Sequence, residues 1–275
     1  MENRIQSRFK RIVKLSISLG VFCISYARDL IRRWRGKPLP ARCVVLYYHS
    51  VSSDQQKQFA RQMDALVRLA KAIPADRMTA LSAGERYVAV TFDDAFESVL
   101  QNAVPELVKK KIPATIFVIA GVIGHPPGWE GYPERTMTLD ELKKLPTDLV
   151  VVGSHTMTHP ELPLVSEEKA KTELVDSRTK LEELLGRKIK LFSFPYGAFE
   201  EKMIDWCKEA GYERVFTTLP YLAFNIADEF VTGRVSVEPT DWALEFYLKL
   251  CGSYRWLPWM FSMIRMRIPK QPKGR

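Results

Sequence analysis

Two adjacent carboxylates, Asp93 and Asp94, end the segment 91–94 (Thr-Phe-Asp-Asp), which follows an apolar run at residues 87–90. When two carboxylates lie a few ångströms apart and both ionise, their repulsion raises the pKa of one of them. Such a pair therefore needs a cation, a proton or strong hydrogen bonds. The segment predicts a charged site rather than two solvated surface residues.

Two histidines, His155 and His159, stand four residues apart after a second apolar run at residues 149–152. One carboxylate and two imidazoles are the smallest protein ligand set for a catalytic divalent metal that keeps open coordination positions. We therefore predict a metal site. The alternatives are that Asp93 caps a helix beginning near Ala95 and that the histidines only cap their loop.

The elements that must position these groups are buried strands alternating with helices. Strands are predicted at residues 43–48, 87–92, 115–120, 149–153 and 191–194, with shorter candidates at 214–217 and 231–237. Helices are predicted at residues 54–73, 139–145, 166–186 and 200–210, with a further helical pattern over 96–108. Thr138 and Glu141 are predicted to form a capping box, and Ser166 and Gly186 are the predicted caps of the third helix. This alternation predicts an α/β fold with a parallel sheet, open or closed into a barrel.

The polar groups fall at the carboxyl ends of these strands. His49, the aspartate pair, His155 and the dipeptide Pro195-Tyr196 each follow a predicted strand directly. Barrels of the (β/α) type gather their catalytic residues at that end, although open doubly wound sheets also bind ligands there. The pattern favours a barrel. No glycine-rich phosphate loop follows a strand, which argues against a nucleotide-binding enzyme.

Charge divides the chain of 275 residues into three parts. The net charge of +9 combines +9 from residues 1–43 and +7 from residues 249–275, which leaves −7 on residues 44–248. We therefore predict a basic and apolar N-terminal segment at 1–37, a catalytic domain at 43–248, and a basic aromatic C-terminal tail at 249–275.

The basic ends predict contact with an anionic membrane surface, because tryptophan, phenylalanine and tyrosine are interleaved with the cations. Thirteen uncharged residues, 15–27, favour an uncleaved anchor or a helix lying in the membrane interface. A cleaved signal peptide and an ordinary N-terminal helix are the alternatives. Zinc-finger spacing, aromatic RNA-binding signatures and a basic recognition helix are absent from the sequence, which argues against nucleic acid as a partner. Four dispersed cysteines without a Cys-x-x-Cys pair predict neither a disulfide framework nor a cysteine-based metal site.

Over residues 43–237 the chain resembles the polysaccharide deacetylases of the carbohydrate esterase family 4 superfamily. Segment 91–94 matches the family's T-F-D-D motif, segment 155–159 (His-Thr-Met-Thr-His) matches H-[ST]-x-x-H, and segment 194–197 (Phe-Pro-Tyr-Gly) resembles the third motif. The resemblance implies a distorted, seven-stranded (β/α) barrel. It also implies one divalent metal ion, for which we expect zinc, with cobalt, nickel or iron as alternatives.

The resemblance also implies roles for individual residues. Asp93 becomes the general base, and Asp94, His155 and His159 become the metal ligands. The third motif supplies Pro195 and Tyr196, whose backbone N–H helps to bind the oxyanion. In the circularly permuted branch, typified by poly-N-acetylglucosamine deacetylases, the acid is a histidine in the first motif. Here that residue is His49, since no histidine follows His159.

Two positions depart from the family pattern. Ser193 stands where many members carry an arginine that orients the base, so the orientation of Asp93 is left without a residue. The nearest candidates for the fourth motif are segment 233–235 (Gly-Arg-Val) and the dipeptide Asp241-Trp242. Trp129 and Tyr132, in the irregular loop 121–137, are expected either to stack on a sugar ring or to pin the loop.

From these features we predict a metal-dependent deacetylase acting on N-acetylated amino sugars of an exported or membrane-linked glycan. The expected location is membrane-associated or extracytoplasmic, with the cytoplasmic face of the membrane left open, and the oligomeric state is not predicted. An O-acetyl esterase or a non-sugar amide hydrolase would use the same residues. An inactive glycan-binding or assembly module on the same barrel is the alternative from another class.

Overall fold

A curled sheet of parallel strands forms the centre of the protein. The structure is a computed structural model, which describes residues 2–76, 81–129, 133–224 and 229–260. Its strands are β1 Arg42–Tyr48, β2 Lys71–Ala72, β3 Arg86–Phe92, β4 Ala114–Val118, β5 Val150–Ser154, β6 Leu191–Ser193, β7 Arg214–Phe216, β8 Val231–Thr232 and β9 Val235–Ser236. Its α-helices are α1 Glu2–Trp34, α2 Gln56–Leu69, α3 Val104–Lys110, α4 Leu139–Lys143, α5 Glu167–Leu185, α6 Glu201–Glu209 and α7 Ala243–Leu250.

The strand order shows why the sheet is a barrel. Neighbours follow the order β8-β7-β6-β5-β4-β3-β1-β9, and every pair is parallel. The two outermost strands, β8 and β9, are separated in the chain only by Gly233 and Arg234. One short stretch therefore pairs with β7 at one edge and with β1 at the other, which draws the edges together. The prediction of a distorted (β/α) barrel is confirmed. It has seven strands when β8 and β9 are counted as one bent strand and β2, which pairs only with β3, is left out of the count.

The strands are buried along almost their whole length because helices cover the outside of the barrel. β3 and β4 illustrate this, since all but the first residue of β3 and every residue of β4 are buried. The valine- and isoleucine-rich runs in the sequence reflect this burial on both faces.

Three predicted helix ends are confirmed at atomic detail. Thr138 accepts a hydrogen bond from the Glu141 N–H while the Glu141 carboxylate accepts one from the Thr138 N–H, which is the capping box expected for α4. The Ser166 hydroxyl accepts a hydrogen bond from the Lys169 N–H and so caps α5, and Gly186 ends that helix with φ of +64°, a conformation that suits glycine.

One predicted boundary is wrong. The helix expected at residues 54–73 ends at Leu69, and Lys71–Ala72 form β2 instead. The backbone turns extended at Ala70, and β2 pairs with Tyr87 and Val88 of β3. Strand pairing at an otherwise unfilled part of β3 therefore overrides a helical pattern that the side chains alone would continue.

Helix α1 packs against α7, the residues that follow α7, and the start of β1. Arg11 contacts Glu245 of α7 at 2.6 Å, the Trp256 indole donates to the Ser18 hydroxyl, and Arg42 at the start of β1 is paired with Asp29. Within the described residues, none of the helices has the length and apolarity needed to cross a bilayer. Of the predicted C-terminal tail, residues 249 and 250 belong to α7, and residues 261–275 lie outside the described residues.

Candidate active site

The predicted metal ligands meet at the carboxyl end of the barrel. One possible ligand atom from each of Asp94, His155 and His159 lies within 4.8 Å of the other two. Both imidazole Nε2 atoms are 3.5 Å from Oδ1 of Asp94. Residues sixty positions apart converge because β3 and β5 flank β4 and end at the same edge of the sheet.

The two histidines are suited to hold a cation. The Nδ1 atom of His155 is 2.7 Å from the Ser193 carbonyl, which turns Nε2 towards Asp94. Burial is the main cause that lowers the pKa of His155 to about 4 and of His159 to about 3, and the neighbouring imidazole lowers the latter further. Both rings are therefore neutral at physiological pH, the form in which imidazole binds metals.

Asp94 is the residue that most needs a cation. Its Oδ1 atom is buried and has no hydrogen-bond partner among the described residues. Burial, followed by the adjacent charge of Asp93, raises the pKa of Asp94 well above its usual range. An orphaned carboxylate oxygen facing two neutral imidazoles fits a divalent metal ion, since its charge would compensate the buried carboxylate.

Asp93 is in the opposite situation, because Arg234 holds both of its carboxylate oxygens at 2.7 and 2.8 Å. Burial alone would raise the pKa of Asp93, but the guanidinium charge and its hydrogen bonds outweigh burial and lower the pKa to about 2. The two neighbouring aspartates therefore differ in the way that a base beside a metal ligand requires. Arg234 keeps Asp93 ionised, whereas Oδ1 of Asp94 has no hydrogen-bond partner among the described residues.

Arg234 is fully buried and supplies the function that the sequence left unassigned. Its Nη2 also donates to the Ser193 hydroxyl at 2.7 Å, and its Nη1 donates to Thr91 at 3.1 Å. The guanidinium lies 4.7 Å from the centre of the Tyr47 ring. Asp93, the predicted base, is thus oriented by an arginine from the β8–β9 connection, and the short Ser193 side chain leaves room for it.

The other candidate for the fourth motif, Asp241-Trp242, does not contact Asp93. Asp241 pairs with Lys249 at 2.6 Å on the side of the domain that faces α1. The sequence signal for Arg234 was its place within a predicted strand, 231–237, whose carboxyl end joins the same edge as the other site residues. Nothing local identified Asp93 as its partner.

A cavity of about 600 Å³ encloses the site and contains the remaining predicted residues. His49 and Tyr196 line it together with both aspartates and both histidines, while Pro195 is buried behind Tyr196 and does not line it. The ring of Trp129 also lines the cavity and lies 4.6 Å from that of His159. The second aromatic residue predicted in that loop, Tyr132, lies outside the described residues.

Backbone strain is concentrated around this cavity. Seven non-glycine residues have positive φ within the described part of the chain, and five of them lie in the strand-end loops of the site: Asp94, Ala95, Thr156, His159 and Tyr196. Such conformations cost of order 1–3 kcal/mol each and persist where surrounding contacts enforce them. The loops are therefore held in shape by the fold rather than by local preference.

Glu173 of α5 is one of the residues that enforce this shape. Its Oε2 accepts the backbone N–H groups of Met157 and Thr158 at 2.8 and 2.9 Å, and its Oε1 accepts the Thr158 hydroxyl. These bonds fix the loop between the two histidines. Sequence reasoning missed Glu173, because it reads as an ordinary polar residue of an amphipathic helix.

Comparisons with known proteins agree with this geometry. The family model described as polysaccharide deacetylase matches residues 80–215. YxkH of Bacillus subtilis, assigned to the polysaccharide deacetylases, is 27% identical over 75% of this chain and 75% of its own length.

Two further similarities concern glycan deacetylases and their fold. The poly-β-1,6-N-acetyl-D-glucosamine N-deacetylase of Staphylococcus aureus is 27% identical over 60% of this chain, which spans 58% of that protein. The solved structure of IcaB from Ammonifex degensii superposes with a TM-score of 0.66 at 29% identity, covering 77% of this chain and 98% of that one. Given the matched motifs, the shared fold and the assembled site, the chain contains a polysaccharide deacetylase domain, and its relatives of this kind are hydrolases that act on amide bonds.

Proposed function

We propose that this protein is a metal-dependent deacetylase that removes N-acetyl groups from amino sugars of a glycan or exopolysaccharide. The observation that carries the proposal is the pairing of two unlike aspartates in one cavity. Asp93 is held ionised by Arg234, and Asp94 faces His155 and His159 with an unpartnered oxygen. A site built only to bind sugar would not need either arrangement.

When bound by Asp94, His155 and His159, a divalent cation would supply Lewis acidity and make water more acidic. Asp93 then accepts a proton from the water that attacks the acetyl carbonyl carbon. The Tyr196 backbone N–H donates to the oxygen that becomes negative. As the carbon–nitrogen bond breaks, His49 gives its proton to the departing amine. The products are acetate and a free amino sugar.

The substrate class is supported by two features. The relative from Staphylococcus aureus is named for a poly-N-acetylglucosamine substrate, and the cavity presents an aromatic ring, Trp129, beside His159. Aromatic faces commonly pack against sugar rings through their apolar surface. We therefore extend an N-acetylated glucosamine polymer to this chain as the first substrate to test.

The contact between Arg234 and Asp93 argues against the alternative of an inactive glycan-binding module. That alternative drew its support from the missing base-orienting arginine, and Arg234 provides such a group from another strand. The O-acetyl esterase and small-amide alternatives use the same residues, so substrate profiling has to separate them. Matched N-acetylated and O-acetylated oligosaccharides are suitable probes.

The first experiment is the metal content of the purified full chain, wild type beside His155→Ala. We expect about one equivalent of transition metal in the wild type and its loss in the variant, with zinc as the first candidate. Acetate release from N-acetylglucosamine oligomers should follow the metal content. Wild-type protein that binds no metal after incubation with zinc would contradict the proposal.

For location, we propose a membrane-associated or extracytoplasmic protein. The support is the charge distribution, with basic residues at both ends of the chain and a net negative middle. At that location the protein would have access to a glycan that is exported to the cell surface.

A further inference from the structure

Helix α1 exposes an apolar face that its packing leaves uncovered. Ten of the nineteen large apolar side chains that are exposed in the described part of the chain lie on this helix. We define its outer face by the eight of them that share one side: Phe9, Ile12, Val13, Ile17, Ile24, Leu30, Ile31 and Trp34. Such a concentration on one element is far beyond the scattered exposure that a soluble surface normally shows.

The geometry of the helix separates this outer face from the packed one. At 3.6 residues per turn, the eight residues fall within an arc of about 140°. The residues that contact the domain, including Arg11, Ser18 and Asp29, fall on the opposite side. From Phe9 to Trp34 the outer face is about 38 Å long. No charged residue lies within its arc.

One border of the outer face is basic near both ends of α1, with no cation between Lys14 and Arg28. Five exposed cations follow this border: Lys10, Lys14, Arg28, Arg32 and Arg35. None of them forms an ion pair within the described residues. The acid nearest to them in sequence, Asp29, is already paired with Arg42. A partner that matches this surface would have an apolar layer to contact the outer face and an adjacent anionic layer to contact the cations.

We propose that the outer face of α1 lies in the interface of an anionic lipid bilayer, with its basic border at the phosphate headgroups. Apolar side chains then enter the acyl boundary while the cations remain with the lipid phosphates. This inference specifies the membrane association proposed above and does not depend on the catalytic proposal.

A second copy of the chain fits the same face less well. Pairing two outer faces would bury their apolar residues, but it would also place five cations of each helix near those of the other without acids to balance them. The packed side of α1 adds a further argument. Because ion pairs and hydrogen bonds fix α1 to α7 and β1, the helix can hold the whole domain at the membrane.

The test measures binding of the full-length protein to vesicles by co-sedimentation. Vesicles contain either equal parts of phosphatidylglycerol and phosphatidylcholine or phosphatidylcholine alone. We expect strong binding to the anionic vesicles, weakened by added salt, and little binding to the neutral ones. In the double variant Ile24→Glu/Ile31→Glu, binding should fall at least about tenfold, because both an apolar contact is lost and a repelled charge is added.

A matched control places two glutamates on other helices. Val108→Glu/Val175→Glu changes two similarly exposed valines on α3 and α5 and should leave binding within about twofold of wild type. A triple variant, Lys10→Gln/Lys14→Gln/Arg28→Gln, tests the basic border without disturbing the apolar face. It should lose binding to anionic vesicles while keeping its thermal stability.

Several results would overturn the inference. One is wild-type protein that stays in the supernatant with anionic vesicles at low salt. Another is an equal loss of vesicle binding in the α1 variant and in its control. A dimer that dissociates in the Ile24/Ile31 variant, without vesicle binding in either protein, would assign the face to a second copy. Acetate release from a soluble N-acetylated oligosaccharide is measured on the same samples. Active protein that does not bind vesicles refutes this inference alone, and vesicle-bound protein without activity refutes only the proposed function.

Discussion

Arg234 grips both carboxylate oxygens of Asp93 although 141 residues separate them in the chain. The contact forms because Arg234 lies in the short connection between β8 and β9, the two strands that bring the sheet's edges together. The same short connection therefore closes the barrel and orients the proposed base.

Replacing Arg234 should damage both stability and activity. Arg234→Met leaves Asp93 buried beside no cation, and removing one partner of a buried ion pair costs about 3–5 kcal/mol. We expect this loss in urea unfolding, together with a decrease of about a hundredfold in kcat/KM from misorientation of the base.

The matched control is the double variant Arg234→Met/Asp93→Asn. Because it removes both charges, it should recover part of the stability lost in Arg234→Met while remaining inactive. Equal stability of the single and double variants would show that the loss comes from packing rather than from the uncompensated carboxylate.

Asp94→Asn separates the metal site from the fold. Without metal, this variant should be as stable as wild type or more stable, because it removes a buried carboxylate whose Oδ1 has no partner. With zinc at a hundred times its dissociation constant, wild type should gain about 2.7 kcal/mol and the variant should gain almost nothing.

Thermal melts with and without zinc measure these differences, and Asp148→Asn, an exposed aspartate, serves as the control. An equal gain from zinc in wild type and Asp94→Asn would place the metal elsewhere in the protein.

Glu173→Gln should loosen the loop that carries the two histidines. A glutamine cannot satisfy both the Thr158 hydroxyl and Lys169 in the way that the carboxylate does. We expect metal affinity to fall by about 10–100-fold and unfolding free energy to fall by about 1–3 kcal/mol. Glu168→Gln, on the exposed first turn of the same helix, should change neither quantity.

The Glu173 contribution should also depend on pH. Burial opposes its ionisation, but the Thr158 hydroxyl, Lys169 and the two backbone N–H groups outweigh burial and lower its pKa below the ordinary value of 4.5. A depressed pKa stabilises the folded state above the unfolded value and loses that contribution as pH falls. In metal-free protein, the stability difference between wild type and Glu173→Gln should be complete at neutral pH and shrink below pH 4.5. A difference that stays constant down to pH 3 would contradict a carboxylate role.

His49→Gln should distinguish amide from activated ester substrates. An amine leaves only when it is protonated, so loss of the proposed acid should lower kcat for N-acetyl substrates by about 10²–10⁴-fold. An aryl acetate, whose leaving group needs no proton, should be affected far less, and metal content should not change. His125→Gln alters another exposed histidine and provides the control. Equal losses on both substrates would assign His49 to binding or folding rather than to proton donation.

Much of the local structure was predictable from the sequence. Apolar runs predicted the strands of the barrel, and the caps of α4 and α5 were predicted to the residue. These features depend on periodicity and on side chains that bond to nearby backbone, so a few consecutive residues contain the necessary information. The motifs at 91–94 and 155–159 were predictable for the same reason, because each is a short segment at a strand end.

Contacts between distant segments were not predictable in this way. The departure at Ser193 left the base without an orienting residue until the fold placed Arg234 beside it. Glu173 was equally hidden, since a helix's sequence does not say which neighbour each side will meet. An interfacial helix was among the predictions for residues 15–27, but which side of α1 stays uncovered depends on its packing against α7 and β1. β2 formed where an unfilled part of β3 offered pairing.

The sequence by itself thus determined which residues could do chemistry, the strands that carry them and the family that the chain resembles. Only the tertiary structure decided how the two aspartates differ. Identical side chains at adjacent positions acquire opposite properties because one meets a buried guanidinium and the other meets two neutral imidazoles. Burial makes electrostatic energies depend on such neighbours over a few ångströms, and which neighbours these are depends on how the barrel closes.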